Sequence, residues 1–228
     1  MGIHKDELII ALPKGRLGQE ALNIFSQVGF PSENVDTEGR KLAYDFREEK
    51  VKYLICRPTD IPTYVEYGAA DIGIVGKDTL EESGADVFEL VDLGFGYCRF
   101  VIAAPQAVVE EIKATKKDFD LAFFNNARVA TKFPQVAKKY FREKGIQVDV
   151  LKLHGNIELA PSVGLADLIV DIVSSGKTLK ENNLIAVEEM FEATARLIAN
   201  RVSYRIKNAI IQDLAAKCYE QIKKGSQV

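Results

Sequence analysis

An α/β fold with largely parallel sheets is the class this sequence predicts, and three observations carry the prediction. Short apolar runs alternate with longer amphipathic stretches along the chain, and strands alternating with helices build βαβ units. The 228 residues, 47% of them apolar, suffice to bury a substantial core. Two segments, 57–75 and 167–178, each join a buried strand to conspicuous polar residues. They lie too far apart to follow the same strand, which argues for two lobes.

The elements follow in order. Residues 8–12 read as a buried strand and 18–28 as the helix after it. Residues 41–46 and 51–56 are strands, the first on a more exposed face. A short helix spans 62–67, and 72–75 is another buried strand. The stretch 92–99, rich in Gly and aromatics, is the crossover between lobes. A strand at 100–104 leads into a polar helix near 106–114. Then come a strand at 128–131, a helix at 133–144 and a strand at 148–153. Residues 164–166 end a helical turn, and 168–173 is an apolar strand broken only by Asp171. The apolar patterns at 185–187 and 193–198 return the chain to the first lobe. The expected division is lobe I at 1–95 plus 185–200, lobe II at 96–184, and a C-terminal helix at 201–228. In that helix Ile206, Ala209, Ile210, Leu214 and Cys218 repeat at three- and four-residue spacing.

Composition excludes several classes. A net charge of -3 offers no general attraction for nucleic acid or a membrane surface, so a polyphosphate ligand must be met by local donors. Cys56, Cys98 and Cys218 are scattered and form no CxxC pair, against a disulfide framework or zinc site. The first apolar stretch is too short for a signal peptide and is preceded by acids. No run reaches the roughly 18 apolar residues of a membrane span. A soluble cytoplasmic protein is expected.

The strongest local chemistry is the run DIVSSGKT, Asp171 to Thr178. An apolar strand leads into a loop of Ser174, Ser175, Gly176, Lys177 and Thr178, and a helix can begin near Thr178. Backbone N–H groups, hydroxyls and a helix start together form a phosphate cradle, and Gly176 lets the backbone approach a ligand. Asp171 can accept hydrogen bonds from ribose hydroxyls while the loop holds a 5′-phosphate. The same residues also read as a plain strand–turn–helix with a Ser or Thr cap, and the local pattern leaves both open. The loop pattern GxxxxGK[ST] is absent, because no glycine occupies its first position. The order of strand, acid and loop is similar to that of type I phosphoribosyltransferases. Those enzymes carry two adjacent acids, whereas Ile172 follows Asp171 here.

The context is more specific. Upstream lies ELAPSVGLAD, Glu158 to Asp167. Read through Leu179, the segment resembles the signature of the ATP phosphoribosyltransferases: an acid, then Gly-Leu-Ala-Asp, then Asp-x-Val-Ser-Ser-Gly-x-Thr-Leu. Two N-terminal segments are similar to the same family, ALPKGRL from Ala11 to Leu17 and RPTDIP from Arg57 to Pro62. The second leads into GAADIGI, Gly68 to Ile74.

The resemblance implies a two-lobed, periplasmic-binding-protein-like type II fold with the active site in the interlobe cleft. It implies the first step of histidine biosynthesis, in which N1 of the ATP adenine attacks C1 of phosphoribosyl pyrophosphate. Pyrophosphate leaves, accompanied by Mg2+. The adenine lone pair needs no protein nucleophile, so catalysis rests on positioning and on stabilising an oxocarbenium-like centre and its leaving group. Carried over by position, Ser174, Ser175, Gly176, Lys177 and Thr178 would hold the 5′-phosphate, and Asp171 the ribose hydroxyls. Asp167 is a second candidate there, and Glu158 would orient ribose or the metal. Lys14 and Arg16 would neutralise pyrophosphate or the ATP phosphates; without the resemblance they read as a solvated loop. Arg57 directly follows a buried strand, an awkward place for a cation unless Asp60 or the nucleotide balances it. Asp71 and Gly73 are assigned to ATP, the glycine by allowing close approach. Asp171, Arg57 and Lys14 are the expected catalytic residues, and no direct protein ligands for the metal are assigned.

The family has a short form that works with a separate regulatory subunit resembling histidyl-tRNA synthetase. This chain is expected to be that form, a homodimer assembling with the subunit. The C-terminal helix can serve dimerisation or docking, or pack on its own lobe. His4 and His154 read as structural or supporting residues, and Tyr64, Tyr67 and Tyr97 as packing residues. Cys56 reads as a buried strand cysteine, although Arg57 beside it would lower its pKa. Solute-binding modules and transcription-factor effector domains share the two-lobed fold. The first need no phosphate loop, and the second follow a helix-turn-helix segment, which this sequence does not show before Leu8.

Overall fold

The computed structural model describes residues 7–115 and 119–225, which form two compact units. His4 lies outside the described residues. Lobe I holds the chain up to Gly96 and again from Thr194, and lobe II is Tyr97–Ala193.

Lobe I begins with β1 (Leu8–Pro13) and α1 (Arg16–Gln27), then β2 (Ala43–Phe46), β3 (Val51–Cys56), α2 (Ile61–Glu66), β4 (Ile72–Gly76), α3 (Lys77–Ser83) and β5 (Phe88–Asp92). Almost every residue of β1 is buried, as a strand covered on both faces requires. It pairs in parallel with β3, from Leu8↔Val51 to Pro13↔Cys56, and with β4 at Ile10↔Ile72. Helix α1 buries Gly18, Ala21, Leu22 and Phe25 on one face, where Phe25 stacks against the fully buried Tyr53 ring.

Lobe II contains β6 (Cys98–Pro105), α4 (Gln106–Thr115), β7 (Ala127–Thr131), α5 (Pro134–Glu143), β8 (Val148–Lys152), α6 (Leu159–Ser162), β9 (Leu168–Val173), α7 (Lys177–Glu181) and β10 (Leu184–Ala193). Its sheet order is β10-β6-β9-β7-β8. Alternate residues of the central strands feed two cores. Phe100, Ile102, Val129, Leu168 and Val170 join Val136, Ala137 and Phe141 of α5. Val101, Ala103, Ala130 and Ile169 join Ile157, Ala160 and Leu179. The site is built on this second face.

The chain then adds β11 (Ala195–Ala199), α8 (Arg201–Ile206) and α9 (Asn208–Gly225) to lobe I, whose sheet order is β2-β3-β1-β4-β11-β5. Three expectations change. Both sheets are mixed, because β2 and β11 in lobe I and β6 in lobe II run antiparallel to their neighbours. The return to lobe I comes at Thr194, not at residue 185. Residues 184–193 instead form β10, which pairs antiparallel along the whole of β6 and covers that strand's free edge. The tail is two helices, not one. Asn200 caps α8 by accepting from the N–H groups of Val202 and Ser203, and the break falls at Lys207. The buried stripe of α9 is Ile211, Leu214 and Cys218, packed into the lobe I core. Ile206 and Ile210 of the expected stripe are exposed.

Candidate active site

The DIVSSGKT run does what its composition allows. Strand β9 carries Asp171 near its C-terminal end, and the chain then turns through Ser174, Ser175 and Gly176 into α7. Gly176 has a φ of 71°, a left-handed conformation that a Cβ would strain. The loop closes a cavity of about 100 Å³. Glu158, Asp171, Ser174, Ser175, Gly176 and Thr178 all line it. Glu158 arrives there because it immediately precedes α6, which packs on the same face of the sheet through Ala160. Lys177 of the expected loop set does not line the cavity; its side chain is exposed and lies 3.8 Å from Glu181, one turn along α7.

Asp171 is half-buried, and one of its oxygens accepts the N–H of Ile172 at 2.8 Å. Burial pushes its pKa up to about 6. The Ile172 N–H opposes that rise, Glu158 adds to it, and Lys132 opposes it. Keeping such a carboxylate ionised at neutral pH costs the fold on the order of 3 kcal/mol. A perturbed acid in a cleft beside hydroxyls is a candidate binding or catalytic group.

Three expected ligand contacts find other partners in the structure. Asp167 sits at the opposite, N-terminal end of β9. Its carboxylate accepts the N–H of Arg128 at 2.8 Å and pairs with the Arg128 guanidinium at 3.3 Å. That backbone hydrogen bond, chiefly, holds its pKa below the usual carboxylate range. Four residue steps along the strand separate it from Asp171, roughly 13 Å, so the two cannot share one ribose. Asp71 likewise precedes β4 at the wrong end of its sheet. It is buried, accepts the N–H of Ile9 at 2.8 Å and forms an ion pair with Lys207 at 2.7 Å. In this structure Asp71 and Asp167 are both paired inside the fold. Gly73 is small for packing, not for ligand approach, because a Cβ there would come within 2.8 Å of the Ile61 and Val65 side chains of α2.

The remaining lobe I candidates gather at one strand edge. Pro13↔Cys56 is the last pair of the β1–β3 ladder, and the Lys14 N–H continues it to the Cys56 carbonyl at 2.9 Å. Lys14 and Arg57 therefore leave the sheet side by side, at the carboxyl ends of parallel strands, where α/β sheets bind ligands. Arg57 is exposed and has no acidic partner among the described residues; Asp60 accepts from the Thr59 hydroxyl instead. Arg16 opens α1 and pairs with Glu20 at 3.2 Å on the surface. Cys56 is not activated by its cationic neighbour, since burial, with help from Asp60, pushes its thiol up to about 11. Tyr67 is 82% exposed and Tyr64 and Tyr97 are also on the surface, so none of the three is the packing residue expected. His154 is exposed.

Among the described residues no group of three or more His, Cys, Asp or Glu side chains could enclose a metal ion. The two carboxylates of the cavity suit magnesium brought in on a polyphosphate, which asks for only one or two protein oxygens and keeps its waters.

Comparison with known proteins identifies the family. The family model described as HisG, ATP phosphoribosyltransferase, matches residues 57–220. An ATP phosphoribosyltransferase of Moorella thermoacetica is 63% identical over 199 residues, covering 87% of this chain and 86% of that one. One from Desulfitobacterium hafniense is 54% identical, covering 96% and 97%. Among solved structures, the ATP phosphoribosyl transferase (HisG:HisZ) complex from Thermotoga maritima aligns with a TM-score of 0.76 at 33% identity, over 95% of this chain and 99% of that one. The substrate-binding protein of an amino acid ABC transporter aligns at 0.54 with 13% identity and shares the two-lobed type II fold alone. Together these matches show that the chain belongs to the ATP phosphoribosyltransferase family, enzymes that transfer phosphoribosyl from phosphoribosyl pyrophosphate to the adenine N1 of ATP in the first step of histidine biosynthesis.

Proposed function

We propose a division of that reaction between the two lobes. Lobe II takes phosphoribosyl pyrophosphate: the loop from Ser174 to Thr178 receives the 5′-phosphate on backbone N–H groups and hydroxyls, and Asp171 accepts from the ribose hydroxyls. Glu158 orients the ribose from the other wall. Lobe I takes the ATP phosphates on Lys14, Arg16 and Arg57. The observation that carries this reading is the convergence of Glu158, Asp171 and the loop on one cavity. Adenine N1 attacks C1 directly, so the protein supplies alignment and charge stabilisation and no covalent intermediate. Ionised Asp171 also favours the positive charge that develops on the ribose ring. Mg2+ entering with the polyphosphates supplies neutralisation of the departing pyrophosphate.

The chain is further read as the short form, a homodimer that assembles with a HisZ-like regulatory subunit resembling histidyl-tRNA synthetase. The Thermotoga maritima complex supports this. A cytoplasmic setting follows from the family's biosynthetic substrates.

The test is formation of phosphoribosyl-ATP from ATP, phosphoribosyl pyrophosphate and Mg2+, followed by near-ultraviolet absorbance and product mass, with and without the subunit. Product in either reaction is expected, with stimulation by the subunit. No product in both, together with no calorimetric binding of phosphoribosyl pyrophosphate, would sink the reading.

A further inference from the structure

The lobe II cavity has an unbalanced charge. Among the described residues its lining contains two carboxylates, Glu158 and Asp171, and no cationic side chain. A ligand bearing phosphates at both ends of a ribose is strongly anionic, and backbone donors alone would leave it facing like charge. Beside the magnesium that a polyphosphate carries, a neighbouring element can supply a fixed cation.

The strand register supplies one. Strands β7 and β9 run parallel with Val129↔Leu168, Ala130↔Ile169 and Thr131↔Val170. The ladder ends there; Lys132 is the first residue beyond β7, at a bend, and lies close enough to Asp171 for its charge to favour the ionised carboxylate. Side chains alternate between faces, and Ala130 and Ile169 both belong to the core on the cavity side. Asp171, two residues further along β9, keeps that face, and Lys132 follows just past the end of the neighbouring parallel strand β7. Thr131 holds the turn that follows, its hydroxyl accepting the Phe133 N–H at 2.9 Å. Lys132 is exposed, and no acid pairs with it among the described residues. Its ammonium lies 5.8 Å from the Phe133 ring centroid. Lys177, the lysine within the loop, is by contrast engaged with Glu181 outside the cavity.

We propose that Lys132 is a substrate-binding residue of this site, its ammonium taking a phosphate of the phosphoribosyl donor beside Asp171. The inference rests on the functional reading above and adds a residue from outside its sequence motifs. An exposed, uncommitted cation next to a ribose-binding acid neutralises the incoming anion without a competing internal salt bridge to break.

Calorimetry on the full chain tests it, with wild type, Lys132→Gln and Lys132→Arg titrated with phosphoribosyl pyrophosphate, ribose 5-phosphate and ATP. Lys132→Gln should weaken phosphoribosyl pyrophosphate by about ten- to a hundredfold, the range of one charge-assisted hydrogen bond. Lys132→Arg should recover most of that, and ATP affinity and melting temperature should stay near wild type. An equal loss for ribose 5-phosphate assigns the lysine to the 5′-phosphate; a loss confined to the pyrophosphorylated donor assigns it to the pyrophosphate. Wild-type affinity in Lys132→Gln would overturn the role of Lys132 while leaving the site intact. A wild-type chain that binds no donor would overturn the functional reading, and Lys132's role with it.

Discussion

Asp71 stands at the start of β4 in lobe I, and Asp171 near the end of β9 in lobe II. Both carboxylates adjoin buried apolar strands, and both lie in segments that match the family pattern. Their surroundings differ. Asp71 has the Lys207 ammonium at 2.7 Å and the Ile9 N–H at 2.8 Å. Asp171 has the N–H of Ile172, the charge of Glu158 working against it, and a pKa pushed up to about 6 by burial. A buried acid with its own counter-charge is finished when the chain folds. A half-buried acid that forms no ion pair, its desolvation only partly offset by the exposed Lys132, is destabilising until a ligand supplies the donors, which is the stability–function trade-off expected of a binding site.

Substitution should separate the two most sharply. Asp171→Asn is expected to cut turnover by about 10²–10³-fold, the scale of losing one preorganised electrostatic group. The variant should melt at a higher temperature than wild type at neutral pH, because the amide carries no charge to desolvate. Near-normal turnover would remove Asp171 from the site. Asp71→Asn should do the reverse, leaving Lys207 buried and unpaired at a cost of about 3–5 kcal/mol in urea unfolding. Its affinity for phosphoribosyl pyrophosphate should be unchanged. Full stability with weakened ATP binding would restore the ATP role to Asp71.

Acidity sharpens the comparison further. As Asp171 protonates, affinity for phosphoribosyl pyrophosphate should fall by about tenfold per pH unit below roughly pH 6, and Asp171→Asn should lack this limb. Stability moves the other way. The folded state holds the Asp171 proton more tightly than the unfolded state. Its contribution is complete below about pH 4 and is lost as pH rises through about 6. The stability gap between wild type and Asp171→Asn, measured by urea unfolding at pH 4 and pH 7, should therefore widen at the higher pH; a constant gap would contradict the raised pKa. The smallest effect is expected at Asp167, an exposed partner of Arg128. Asp167→Asn should cost less than about 1 kcal/mol and leave donor affinity unchanged.

Much of the fold is legible in the residues. The runs at 51–56 and 168–173 are strands at their expected limits, because apolar character interrupted only once in each, by Lys52 and by Asp171, suits a covered strand. Strand β5 and helix α3 are less legible, since Phe88–Asp92 interleaves acids with apolar residues and is only partly buried. The tail misleads for a physical reason. Two stripes run along it at helical spacing, and the break at Lys207 chooses the one through Ile211, Leu214 and Cys218. The loop from Ser174 to Thr178 is legible because its chemistry is local. Lys132 is not, because it lies just past the end of another strand and comes near Asp171 only because β7 and β9 are neighbours in the sheet.

By itself the sequence determined the strands, the phosphate-type loop and the family, since these depend on apolar continuity and on spacing within short segments. Only the tertiary structure decided which acids are spent and which remain free. Lys207, the partner of Asp71, lies 136 residues away in sequence, and Arg128, the partner of Asp167, lies 39 residues away. Charge pairing is short-ranged in space and indifferent to sequence separation. Folding neutralises Asp71 and Asp167 and leaves Asp171, among lobe II's loop and helix ends, with a valence for substrate.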